Sequence, residues 1–128
     1  HEQVGDENIF LFGLKANEVD ELWQKGYNPN DFMTPELQRV FDMLTSGVLG
    51  QHYDDLVASL LTNRFGVADP YMTVADFNDY CREQEAAAKT YTDRRKFAEM
   101  SLVNIAKAGI FSSDRSVREY ADKIWDQR

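Results

Sequence analysis

The stretch that decides the fold is "NIFLFG", residues 8–13, a mostly apolar run that a glycine closes. Continuous apolar runs of this length are typical of a strand that is covered on both faces, as in a parallel sheet. It is the only segment with this pattern, and a lone strand leaves backbone amides and carbonyls without ladder partners. We therefore predict a mainly α fragment with one orphan strand over about residues 8–13, part of a larger α/β domain.

The rest of the chain has the spacing of helices. Thr34 and Pro35 in "TPEL" match an N-cap and a first helical residue, and Gly26 is expected to end an earlier helix. Thr73 and Asp76 match a capping box at the start of a later helix. The expected helix starts are Asn17, Thr34, Asp54, Thr73, Asp93 and the serines of "SSDR", residues 112–115.

The composition narrows the classes of function. At 128 residues the chain is long enough for one segment with its own core, residues 1–128. The formal net charge of −8 argues against nonspecific binding to nucleic acid. The longest apolar run, residues 9–14, is far shorter than the roughly 20 residues of a membrane span. The chain begins with His1 rather than methionine, so we expect a piece of a longer protein.

The "SSDR" turn is a candidate anion site because it stands at an expected helix start. Free amides and the helix dipole attract anions there, and Ser112, Ser113 and Arg115 add donors. Capping explains the same residues, since a serine oxygen accepts from a helix amide and Asp114 would repel a phosphate. We interpret the turn as a cap.

Two further residues have a functional and a structural interpretation. His52 precedes Asp54 and Asp55 and could bind a metal, but no second histidine lies within coordinating sequence distance, which favours a loop histidine. Cys81 could be a nucleophile, but no histidine stands near it in sequence, which favours packing in a helix. As the single cysteine it forms no internal disulfide, which favours a reducing compartment.

"DRRK", residues 93–96, is the densest basic patch. It could hold a phosphorylated ligand or the acids of a partner, but charged residues that open a helix usually face solvent. The paired carboxylates fall on helix starts or polar faces. We predict no catalytic, cofactor-binding or metal-binding residue in this chain.

Several blocks resemble the C-terminal end of the α-glucan phosphorylases, the family of glycogen, starch and maltodextrin phosphorylases. The resemblance covers nearly the whole chain and departs from the family pattern at residues 48–66 and at "DRRKFAEMS". The matching blocks are "VGDENIFLFGL" (4–14), "KGYNP" (25–29), "PELQRVFDMLTSG" (35–47), "DPYMTVADFNDYCREQE" (69–85) and "MSLVNIAKAGIFSSDRSVREYADKIW" (100–125).

The resemblance implies that the parent protein is a cytoplasmic enzyme that cleaves terminal α-1,4 bonds of glucans with inorganic phosphate and releases glucose 1-phosphate. It further implies a homodimer with pyridoxal phosphate as cofactor, and two doubly wound lobes with the active site between them. The Schiff-base lysine of the family lies in a block like "KEASGTGNMKF", upstream of the point that matches His1. Lys107 falls where the family does not place the cofactor, so no cofactor residue is carried over.

The resemblance assigns the chain a structural role. Residues 8–13 would be a sheet strand of the C-terminal lobe, and the last helix would cross toward the other lobe and bury Tyr120, Ile124 and Trp125. The segment by itself would be inactive. The alternative is a stand-alone helical interaction module that binds a partner through "DRRK" or through the exposed edge of residues 8–13. The isolated chain is also expected to self-associate through this unpaired edge.

Overall fold

The computed structural model describes residues 1–125, which are mainly helical and contain no strand. Short 3₁₀ turns join several of the helices, and a π turn over Ala121–Trp125 follows the last one. The α-helices of the described residues are α1 (Ala16–Lys25), α2 (Pro35–Thr45), α3 (Asp54–Leu61), α4 (Thr73–Thr92), α5 (Arg94–Lys107) and α6 (Ser113–Tyr120). No helix in this part of the chain combines the length and the apolar character that a membrane crossing requires.

The chain divides into two compact units. The central unit comprises residues 12–83, and the terminal unit comprises residues 1–11 together with the residues from 84 onward. The boundary falls within helix α4.

The core of the central unit is formed by helices α2, α3 and α4. Leu37, Phe41 and Val74 are buried at its centre. Partly buried apolar side chains surround them: Phe32, Met33, Leu44, Val57, Leu60, Leu61 and Phe77. Burial of these apolar groups holds the three helices together, and truncating a buried phenylalanine such as Phe41 to alanine typically costs about 3 to 5 kcal/mol.

The terminal unit is tied together by one buried residue and one amide. Met100 is its buried apolar residue among the described residues. The Asn104 side-chain amide donates to the carbonyl oxygens of Asn8 and Met100, at 2.7 and 2.9 Å. The rings of Tyr91 and Phe97 meet edge to face at 5.0 Å. The hydrogen bond from Asn104 to Asn8 joins the N-terminal residues to helix α5, and the ring contact joins the end of α4 to α5.

The predicted strand over residues 8–13 is not confirmed. Residue Ile9 is extended, but the residues around it pair with no other strand in the described chain. Two side chains of α4 take the place of a partner strand: Gly13 N–H donates to the Asp79 carboxylate and Leu14 N–H to the Asp76 carboxylate, both at 2.9 Å. Asn8 belongs to a 3₁₀ turn and Gly13 has a φ of 91°, and a strand also needs a ladder partner, which these residues lack within the described chain.

Several predicted helix ends are confirmed. The Thr34 hydroxyl accepts from the Leu37 amide at 3.2 Å, with Pro35 at the first helical position. The Asp93 carboxylate accepts from the Lys96 amide at 3.0 Å. Helix α3 begins at Asp54 as predicted, and Gly26 ends α1 with a φ of 86°. The short-range rules for capping are sufficient here because each partner lies within one turn.

The predicted caps at Asn17 and Thr73 are wrong. Helix α1 begins at Ala16, so Asn17 already lies inside the helix. The Lys15 amide, just before the helix, donates to the Glu18 carboxylate at 2.7 Å. The capping box of Thr73 with Asp76 does not form, because Asp76 accepts from Leu14 and a different aspartate caps α4.

Candidate functional site

The loop before helix α4 is organised by a buried aspartate. Asp69 is 1% exposed, and its carboxylate accepts three hydrogen bonds. The donors are the Tyr27 hydroxyl at 2.7 Å, the Thr73 amide at 2.9 Å and the Val74 amide at 2.8 Å. A carboxylate at a helix N-terminus also interacts favourably with the helix dipole. Asp69 therefore caps α4 from outside the helix and links its start to Tyr27, two residues beyond the end of α1.

Tyr27 is held in its neutral form by this arrangement. Burial raises the pKa of Tyr27 above its ordinary value, and the hydrogen bond to Asp69 and the negative charge of that carboxylate raise it further. A phenol with a raised pKa is a poor source of a proton near neutral pH. The pair is therefore a structural contact rather than an acid and base.

The same loop holds its backbone in an unusual conformation. Asp69 and Met72 have φ angles of 44° and 54°, in the left-handed region that side chains other than glycine rarely adopt. Such residues cost about 1 to 3 kcal/mol each and persist where the surroundings fix them. Here Asp69 and Met72 are each 1% exposed, whereas Tyr71 between them is 88% exposed. The loop therefore presents one aromatic side chain to solvent on a fixed backbone.

Tyr71 stands at the border of a half-open groove, which we call the aromatic groove. Its volume is about 380 Å³. The rings of Phe12 and Tyr80 meet edge to face within it at a centroid distance of 5.2 Å. The groove is lined by Phe12, Tyr71, Thr73, Asp76, Phe77 and Tyr80. Sequence reasoning missed this groove, although "DPY", an exposed aromatic after a proline in a loop, was a usable signal.

The "SSDR" turn lies at a helix start, as predicted, but a residue other than a serine stabilises it. Helix α6 begins at Ser113, and Ser112 stands at the cap position without a side-chain cap hydrogen bond, so the predicted serine cap is wrong. The Arg115 guanidinium donates to the Ile110 carbonyl and to the Glu119 carboxylate. Since the arginine is engaged by these internal acceptors, the turn is held by Arg115 rather than by a serine. The hydrogen bond and the charge of Arg115 lower the pKa of Glu119.

His52 contacts the C-terminal end of helix α2. Its Nδ1 lies 2.6 Å from the carbonyl oxygen of Thr45, the last residue of that helix. A carbonyl can only accept, so Nδ1 carries the proton, and the imidazole satisfies a carbonyl that the helix leaves free. Within residues 1–125 no group of three histidine, cysteine or carboxylate side chains has a metal-binding arrangement.

The remaining predicted residues lie apart from one another in the chain. Cys81 is half-buried on helix α4 and free. The "DRRK" residues are exposed; the Arg94 guanidinium lies over the Tyr91 ring at 3.9 Å, and Arg95 pairs with Glu99 at 3.0 Å. Exposed pairs of this kind contribute little to stability.

The described residues thus form a helical segment in which Arg115, His52 and the "DRRK" residues make local structural contacts. The family model for carbohydrate phosphorylases matches residues 1–127. The chain belongs to the carbohydrate phosphorylase family.

Individual relatives agree with this assignment. The chain is 37% identical over 126 residues to the muscle form of glycogen phosphorylase from Homo sapiens, and 39% identical over 126 residues to a glycogen phosphorylase from Synechocystis sp.. Each match covers 97% of this chain and 15% of the relative. A chloroplastic/amyloplastic α-1,4 glucan phosphorylase L isozyme from Vicia faba is 40% identical over 127 residues, which is 98% of this chain and 13% of that protein. The chain therefore spans about 15% of the length of the relatives it matches.

Proposed function

We propose that this chain is the C-terminal segment of an α-glucan phosphorylase, whose full-length enzyme cleaves terminal α-1,4 bonds of glucans with phosphate to give glucose 1-phosphate. The observation that carries the proposal is the family match over residues 1–127, with relatives named as glycogen and α-1,4 glucan phosphorylases. The parent enzyme would be a homodimer. A cytoplasmic location is proposed as well, although the Vicia faba relative is named as chloroplastic/amyloplastic.

The role of the segment is to complete the C-terminal lobe of the parent and to brace its two lobes. The terminal unit supports this role because large apolar side chains stand exposed on α5, α6 and the turns that follow them. They are Leu102, Ile105, Phe111, Val117, Tyr120, Ile124 and Trp125. The predicted burial of Tyr120, Ile124 and Trp125 thus requires contacts beyond the described residues. Apolar surface on this scale marks a place where other protein packs, and the rest of the parent polypeptide is the occupant we propose.

Pyridoxal phosphate is the proposed cofactor of the parent, where it would supply proton transfer to the substrate phosphate. The residues of this chain do not fit that group. A Schiff-base lysine is activated by a desolvated pocket, but every lysine of this chain is exposed: Lys15, Lys25, Lys89, Lys96, Lys107 and Lys123. The cofactor would therefore be held by other parts of the parent, and we assign no step of the reaction to this segment.

The experiment compares the parent polypeptide with the isolated chain. Each is incubated with pyridoxal phosphate, inorganic phosphate and maltoheptaose, and glucose 1-phosphate is measured. We expect turnover by the parent and none by the chain. Turnover by the isolated chain would contradict its structural role, and a parent without turnover would refute the proposed activity.

A pair of variants tests the packing role directly. Ile105→Asp in the parent places a charge on the exposed apolar face of α5, and Lys96→Asp places the same charge on the exposed "DRRK" patch. If the apolar face packs against the parent, Ile105→Asp lowers the melting temperature of the parent by several degrees, because a buried unpaired charge is costly. Lys96→Asp should change it little. Equal effects of the two variants would argue against packing at α5.

The exposed apolar surface also favours the alternative, a stand-alone helical interaction module without catalysis. The two candidates differ in the size of the protein that carries this sequence. An intact mass of about 14.8 kDa in the source cell would favour the module. A much larger mass would favour the phosphorylase segment.

A further inference from the structure

The aromatic groove adjoins an acidic depression on the surface of the central unit. The depression is half-open, and its carboxylates belong to Glu18, Asp76 and Asp79. Asp76 lines both the groove and the depression, so the two share a wall. Among the described residues, no lysine or arginine lines either of them. The surface therefore combines aromatic rings with negative charge and supplies no cation of its own.

The Asp76 carboxylate keeps one oxygen open to a partner. Its Oδ1 accepts from the Leu14 amide at 2.9 Å, whereas Oδ2 receives no hydrogen bond from the described residues. Asp79 is already engaged, since its carboxylate accepts from the Gly13 amide and pairs with Arg82. Asp76 is also half-buried, and a partly buried charge is screened less by salt than an exposed one. Asp76 is therefore the negative group beside the rings that a cation can reach.

The rings of the groove favour a cation as well. The face of an aromatic ring carries partial negative charge and attracts an ammonium or guanidinium group. The chain makes this contact elsewhere, where the Arg94 guanidinium lies 3.9 Å over the Tyr91 ring and the Arg64 guanidinium 5.0 Å over the Phe65 ring. Rings and carboxylate thus select the same sign of charge.

A guanidinium suits the groove better than other cations do. It is planar, so it stacks on a ring while its N–H groups donate within its own plane. The acceptors at the groove are Asp76 Oδ2 and the Thr73 hydroxyl. A quaternary ammonium ion has no N–H group and would leave both acceptors without a donor.

The mixed character of this surface favours a separate partner over the permanent packing proposed for the terminal unit. Permanent interfaces are more apolar than transient ones, and arginine and aromatic residues are enriched where separate proteins meet. The ring of Tyr71 is 88% exposed, although its neighbours Asp69 and Met72 are buried. Binding to a ring on a backbone that is already fixed requires little ordering of the loop.

We propose that the aromatic groove docks an arginine from an extended basic segment of a separate partner protein. The guanidinium stacks on the rings of the groove and donates to Asp76 Oδ2. A second basic residue of the segment lies over the acidic depression, near Glu18. The central unit thereby carries an interaction surface that is distinct from the apolar face of the terminal unit.

The experiment is a titration of the 128-residue chain with the peptide GGRGRGG, followed by NMR. We expect saturable shifts of the ring protons of Phe12, Tyr71 and Tyr80. Replacing both arginines of the peptide by citrulline keeps the planar shape and removes the charge, so it should weaken binding roughly tenfold or more. The peptide GGKGKGG has the same charge without the planar group and should bind about threefold more weakly or worse.

Two variants of the chain test the groove. Asp76→Asn keeps an oxygen for the Leu14 amide but removes the charge, and it should weaken binding roughly tenfold. Tyr71→Ala removes the exposed ring and should weaken binding about threefold or more. The matched controls are Asp55→Asn, with the same charge change, and Phe65→Ala, which removes an exposed ring. Neither control residue lines the groove, so both should stay within about twofold of the unmodified chain.

Helical circular dichroism shows whether each variant is folded. No binding of GGRGRGG by the folded chain would overturn the proposal. Equal binding of the arginine and lysine peptides, or equal weakening by Asp76→Asn and Asp55→Asn, would overturn it too, because either result shows attraction to the net charge alone.

Two further measurements test the kind of partner. Peptide binding by the isolated chain but not by the parent polypeptide would mean that the parent covers the groove itself, which would overturn a separate partner. Displacement of the peptide by an equal concentration of tetramethylammonium would assign the groove to a small cation and overturn the proposal. Neither glucan nor phosphate enters these assays, so their results are independent of the proposed phosphorylase activity.

Discussion

Removal of the Asp69 carboxylate should be among the most damaging single changes to the central unit. Asp69→Ala leaves the Tyr27 hydroxyl and the Thr73 and Val74 amides without their acceptor. A buried donor that loses its partner costs about 1 to 3 kcal/mol, and water can reach part of this site, so we take about 3 kcal/mol for the three donors together. Alanine at the left-handed φ of 44° adds about 1 kcal/mol. The expected loss in the free energy of unfolding is therefore about 4 kcal/mol.

Two companion variants separate the contributions. Asp69→Asn keeps an acceptor oxygen and tolerates the left-handed conformation, so the expected loss is about 1 to 2 kcal/mol. Asp55→Ala removes an exposed aspartate whose pairing with Arg64 spans 3.5 Å, and it should cost about 0.5 kcal/mol or less.

The assay is urea unfolding followed by tryptophan fluorescence. Trp23 is a suitable reporter because its ring meets Tyr27 edge to face at 5.6 Å, next to the Asp69 contact. With an m-value of about 2 kcal/mol/M, Asp69→Ala should lower the midpoint by roughly 2 M. A midpoint for Asp69→Ala as high as that of Asp55→Ala would refute the view that this carboxylate holds α4 in place.

Three further changes test other contacts. The pKa of Tyr27 is raised in the folded state, so the unfolded chain loses its phenol proton at a lower pH than the folded chain. The free energy of unfolding therefore falls as the pH rises above 10.0, and this fall should be shallower in Tyr27→Phe. The measurement is urea unfolding of the unmodified chain and of Tyr27→Phe at a series of rising pH values. Gly13→Ala should lower the free energy of unfolding by about 1 to 3 kcal/mol, because the added Cβ would lie 2.6 Å from Asp76 Oδ2. Gly26→Ala, at a similar φ but in open space, measures the backbone part alone, and equal losses would contradict the clash. His52→Ala should lower stability by about 1 kcal/mol, and added Zn²⁺ should leave the melting temperature of the unmodified chain unchanged.

The local caps and the family were accessible from the sequence. Thr34 and Asp93 bond to amides three residues away, so the rule that predicts them needs no knowledge of the fold. The blocks that resemble α-glucan phosphorylases predicted the family, which the match over residues 1–127 confirmed. The absence of catalytic and cofactor residues from this segment remains a prediction.

Two of the wrong predictions share a cause. Residues 8–13 have the composition of a strand, but a strand is defined by its partner, and the described residues supply carboxylates instead. The sequence is compatible with a capping box of Thr73 and Asp76. In the structure, the Asp69 carboxylate accepts from the amides of Thr73 and Val74 at the start of α4. In both cases the backbone amides donate to a carboxylate that the sequence pattern does not identify.

The sequence by itself determined the helices, most of their ends and the family, because helical periodicity and capping act over three or four residues. Only the tertiary structure decided the Asp69 contact, in which Tyr27 lies 42 residues away, and the contacts of Gly13 and Leu14 with carboxylates 66 and 62 residues away. It also decided the aromatic groove, which joins Phe12 to the start of α4. Such pairs form when packing brings distant segments together, and no short-range pattern specifies which donor will meet which acceptor.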